Sequence, residues 1–64
     1  MTTEEMYIRK IENGIRAIKL GSKTPEEAQV GLFLNRLKPL NEGMYQEHLK
    51  NYVKTKQAWD LKNK

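Results

Sequence analysis

The chain has 64 residues, 38% of them hydrophobic and 31% charged, a balance too apolar for a disordered segment and too polar for a membrane span. It has no cysteine, so neither a disulfide framework nor a thiolate metal site reinforces a core of marginal size. The net charge of +4 is spread as +1, +1 and +2 over residues 1–20, 21–40 and 41–64, without the concentration expected of a protein that grips phosphates.

The first segment places Ile8, Ile11, Ile15 and Ile18 at helical spacing, with Tyr7 and Gly14 on the same side, and predicts a helix over 3–20. Its rival is a hairpin turning at Asn13-Gly14. The flanking strands would alternate poorly, because Tyr7 and Ile8 are adjacent and Arg9 and Lys10 follow together. Gly21 then stands where a helix C-cap favours glycine.

Thr24-Pro25-Glu26-Glu27 reads as a helix start: Thr24 caps, Pro25 takes the first helical position and Glu27 completes a capping box. A second helix over 25–38 follows, with Val30, Phe33, Leu34 and Leu37 facing the core and Ala28 and Leu32 pointing elsewhere. Gly31, in its middle, marks a site where another backbone often comes close.

Pro39 ends that helix and Asn41 caps a third over 42–62. Tyr45, Tyr52 and Trp59 recur every seven residues and so share one face, joined by Met44, Leu49 and Val53, with His48 and Lys56 near it and Lys50 and Lys54 outside. This helix would be ~30 Å long against ~21 Å for the second. It should overhang its neighbours and leave Trp59 and Leu61 without cover.

These elements define one all-α domain over 1–64, a compact three-helix bundle with the third helix longest, associating through its helix faces. The acidic start, Met1-Thr2-Thr3-Glu4-Glu5, lacks the apolar stretch of a secretory signal, and points to the cytoplasm with no membrane attachment. His48 has no second histidine in the chain and no carboxylate three or four residues away, and there is no glycine-rich phosphate loop. The sequence therefore predicts no catalytic, cofactor or metal site and no small-molecule substrate.

What remains is binding. The first expectation is a non-enzymatic protein-binding or regulatory module, a homodimer or a partner of another protein, with Trp59, Tyr52, Leu32, Leu61 and Lys56 at the interface. The alternative is a DNA-binding regulator in which the second and third helices form a helix-turn-helix and Asn41, Gln46, Lys50 and Lys54 contact nucleic acid. Glu42 and Glu47, in the reading position, oppose that alternative.

Overall fold

Every regular element in the computed structural model, which describes residues 2–63, is helical: α1 (Thr3–Leu20), α2 (Pro25–Ala28), α3 (Val30–Leu37) and α4 (Glu42–Lys62). The long axis of the molecule, 36 Å, is close to the ~31 Å that a 21-residue helix such as α4 spans.

Local chemistry fixes the boundaries. The Thr2 hydroxyl accepts from the Glu5 N–H and starts α1. At its end Gly21 adopts φ 78°, a left-handed conformation that costs glycine nothing. The Gly21 N–H then donates to Ile18 O and the Ser22 N–H to Ala17 O, which satisfies two terminal carbonyls in a Schellman arrangement. α1 runs through Asn13 and Gly14 without a turn, so the hairpin rival is absent.

The capping box at Thr24 is complete. Glu27 N–H donates to Thr24 Oγ1 at 3.1 Å, and Thr24 N–H donates to Glu27 Oε1 at 3.3 Å. Thr24→Ala is expected to cost ~1 kcal/mol, lowering the melting temperature by ~4–8 °C in a thermal denaturation followed by circular dichroism.

The helix expected over 25–38 is broken in two. Gln29 sits at φ 55°, ψ 29°, in the left-handed region, and separates α2 from α3. The reason lies in what Ala28 and Val30 must do. Residues two apart on a continuous helix point ~200° away from each other, yet both Ala28 and Val30 are buried, and both lie against Gly14. Reversing the backbone at Gln29 turns both inward. Ala28 is therefore a core residue and not the outward one its place in an unbroken helix implies. The left-handed conformation strains any residue with a Cβ by ~1–2 kcal/mol. Gln29→Gly, at an exposed site, is expected to raise stability by up to ~1 kcal/mol after glycine's larger unfolded-state entropy is subtracted, readable as a higher melting temperature.

The core is a cluster of Ile11, Ile15, Ile18, Ala28, Val30, Leu34 and Leu37, with Tyr7, Ile8, Phe33, Met44, Tyr45, Leu49, Tyr52 and Trp59 packed half-buried around it. Phe33 is thus a flank of the core and not its centre. Its ring lies 6.1 Å from that of Tyr7 and under Lys10 Nζ at 5.3 Å. Gly31 meets nothing within 4 Å where a Cβ would stand, so the close approach expected there occurs at Gly14 instead.

α1 and α3 are antiparallel, since Tyr7 and Lys10 meet Phe33 while Gly14 meets Val30 and Ala28. α1 and α4 are parallel. Glu12 and Arg16 share a recess with His48, and Ile18 and Lys19 share a cleft with Thr55 and Trp59, so residue numbers rise together along both helices. The result is an up-down-up bundle in which the descending arm is the broken pair α2 and α3. No helix among the described residues is long and apolar enough to cross a membrane.

Candidate functional site

α4 meets the rest of the bundle with an unusual seam. Tyr45, Tyr52 and Trp59 recur every seven residues, and His48 and Thr55 fall three residues after the first two, giving the alternating spacing by which a helix keeps one stripe against a neighbour. The aromatics are half-buried, whereas His48 and Thr55 are the buried members. Thr55 Oγ1 satisfies itself within its own helix, donating to Asn51 O at 2.8 Å. His48 Nε2 is buried with no hydrogen-bond partner among the described residues. Val53, grouped with this face by its sequence position, is exposed.

α1 stops at Leu20, and its Ile18 and Lys19 share one cleft with Thr55, Ala58 and Trp59, so the end of α4, to Lys62, projects past it. The connection from Gly21 to Thr24 folds beside this projection and encloses an open cleft of about 700 Å³. Ile18, Ala58 and Trp59 supply its apolar lining, and Ser22, Thr24, Asn51, Thr55 and Asn63 its neutral polar groups. Lys19, Lys23, Lys54 and Lys62 border it, and Glu27 is the one acid among the described lining residues. That carboxylate is engaged in the cap of α2. A shallower recess of about 310 Å³ adjoins the cleft along the α1–α4 seam, sharing Lys19 and Asn51 with it and adding Glu12, Arg16 and His48.

The two most exposed large hydrophobic residues, Leu20 at 74% and Leu61 at 73%, lie at this same end, at the last residue of α1 and one residue before the end of α4. Trp59 was expected to stand uncovered. It is instead half-buried, packed on the core while also lining the cleft. The connection between α1 and α2 supplies this cover, since Gly21, Ser22, Lys23 and Thr24 line the same cleft as Trp59, and helix length alone does not reveal where a connection folds.

The other expected interface residues are dispersed. Tyr52 is half-buried against the core, Lys56 is exposed outside the cleft lining, and Leu32 is exposed on α3, also outside it. Of the residues expected at nucleic acid, Lys54 alone enters the cleft. Asn41 Oδ1 accepts from the Met44 N–H at 3.1 Å and so caps α4, while Gln46 and Lys50 stand exposed on its outer side.

Lys19, Lys23 and Lys62 were not singled out from the sequence, because they lie in separate thirds of the chain whose individual charge excess is small. The available signal was topological. In an up-down-up bundle the first and last helices finish at the same end, so lysines in their last turns converge. Among the described residues no group of three or more His, Cys, Asp or Glu side chains is placed to hold a metal ion. Comparison with protein-family models, curated proteins and solved structures found no match to this chain.

Proposed function

We propose that this protein is a small non-enzymatic protein-binding module that regulates or adapts a partner through the end of the bundle where α1 and α4 finish. The observation that carries this reading is an open cleft at this end lined by the half-buried Trp59, with the largely exposed Leu20 and Leu61 at the ends of the same two helices, outside the cleft lining. Single exposed leucines are ordinary on a protein surface. A half-covered tryptophan in a lined cleft is the kind of aromatic anchor on which binding energy concentrates, and two solvated leucines at the same end of the molecule add apolar area for a partner. Self-association through the remaining helix faces would add burial to a core of this size.

Because Leu20 and Leu61 are largely solvated, Leu20→Glu with Leu61→Glu should leave the melting temperature nearly unchanged. The same double variant is expected to reduce recovery of a protein partner on tagged bait from native lysate at least tenfold, as loss of interface anchors does. Recovery should survive nuclease treatment. Undiminished recovery by the folded double variant would defeat the reading.

A nucleic-acid ligand is the second reading, supported by the four lysines at the cleft. It requires affinity that falls steeply with salt and recovery that nuclease abolishes. The exposed leucines favour the protein reading, since phosphate contacts gain nothing from them.

A further inference from the structure

We infer that the segment this protein binds is acidic and amphipathic, and that it lies along the α1–α4 groove with its carboxylates toward the lysines and an apolar side chain on Trp59. The inference rests on the protein-binding reading and adds the chemistry of the partner. The cleft and the recess beside it share Lys19 and Asn51, so together they form a track along the seam. Arg16, Lys19, Lys23, Lys54 and Lys62 border that track. Glu27, its acid at the cleft end, already accepts from the Thr24 N–H, and Glu12 lies at the opposite end, in the recess.

A track with cationic borders and an aromatic surface at one end, with two exposed leucines at the same end of the molecule, matches a chain that carries both negative charge and apolar side chains. Four of the five cationic groups are lysines, whose compact ammonium groups act as point charges and do not impose the planar bidentate geometry of an arginine. They suit carboxylates spaced along a peptide. A single-stranded nucleic acid binds best where several aromatic rings succeed one another along the groove as stacking platforms. Here Trp59 is the one aromatic among the described lining residues of the cleft. Neutral Ser22 and Asn51 provide donors and acceptors for the main chain of an extended peptide, while Thr24 is engaged in the cap of α2 and Asn63 Nδ2 donates to Trp59 O at 2.9 Å.

Trp59 is the sole tryptophan, so its fluorescence reports on the cleft directly. The test titrates the whole protein with three probes: a synthetic peptide alternating Glu and Asp with Leu and Phe, the same peptide with Gln and Asn in place of the acids, and an oligodeoxythymidine of equal charge. The acidic peptide is expected to shift Trp59 emission to the blue and to bind at least tenfold more tightly than the other two. Lys54→Glu with Lys62→Glu should weaken it roughly tenfold or more, as reversing complementary charge does, while Lys50→Glu, outside the cleft, should not. Equal binding of the neutral peptide, tighter binding of the oligonucleotide, an unchanged affinity in the folded double lysine variant, or no spectral response to the acidic peptide would each overturn the inference. The two readings fail separately. If Leu20→Glu with Leu61→Glu abolishes recovery of a natural partner and the lysine variant does not, protein binding stands and the acidic chemistry falls.

Discussion

Leu34→Ala is expected to leave the chain largely unfolded at room temperature. Leu34 is 2% exposed and lies in α3 within the buried cluster that includes Ile11, Ile15 and Leu37. Removing a buried leucine costs ~2–5 kcal/mol, from the lost transfer of its methyl groups and from the cavity left behind. A core of this size supplies a net stability of only ~3–5 kcal/mol. Chemical denaturation should show a midpoint near zero denaturant. Phe33→Ala should be milder than Leu34→Ala, because Phe33 is half-buried on the flank and water already solvates part of its ring. A reversed order of the two would mean that the centre of the core lies elsewhere.

The second large effect is expected at Gly14. A Cβ there would stand 2.6 Å from Val30 Cγ2 and 3.4 Å from both Ala28 Cβ and Ala28 O. Real carbon atoms do not approach to 2.6 Å, and Val30 has little room to yield: it is fully buried, and a β-branched residue in a helix has essentially one rotamer. Alanine would improve the helix propensity of α1 by ~1 kcal/mol. Overpacking would cost ~1–3 kcal/mol, so Gly14→Ala should be neutral at best and destabilising in the main, and Gly14→Val should not fold. The cause can be isolated by a double-mutant cycle. Val30→Ala alone leaves a cavity, and combined with Gly14→Ala the new methyl group occupies part of it, so the pair should cost less than the sum of the singles by ~0.5–3 kcal/mol. Additive costs would show that the contact does not limit this site.

The apolar period of α1 was legible residue by residue: Ile11, Ile15 and Ile18 are buried as their spacing requires, and Gly14 beside them. The caps at Thr24 and Asn41 were legible for the same reason, since a cap is a local contract between residues three apart. The break at Gln29 was not. Nothing in Gln29 favours a left-handed backbone. That conformation goes with the joint burial of Ala28 and Val30 against Gly14, fifteen residues earlier in the chain, where the missing side chain leaves room for both. Tertiary packing overrides local preference there. Trp59 was found by its heptad spacing, and its partial cover was missed because helix length says nothing about where a connecting segment folds. The lysines of the cleft were hidden by counting charge along the chain, where Lys19 and Lys62 are far apart, when the parallel packing of α1 and α4 places them at one end.

The polar seam of α4 bears on how the molecule opens. The buried residues of α1 and α3 are aliphatic, whereas those of α4 are a threonine bonded to its own helix and a histidine with an orphaned nitrogen. Separating α4 from the bundle therefore hydrates His48 Nε2 and recovers part of the cost of exposing the aromatics. The helical pair α1 and α3 keeps most of its own contacts when that happens. Lifting of α4 from α1 and α3 is therefore expected as a sub-global opening, readable as weaker amide-exchange protection in α4 than in α1. A partner that grips α1 and α4 together would suppress such opening, and part of its effect on the protein would be to raise exchange protection along the whole of α4.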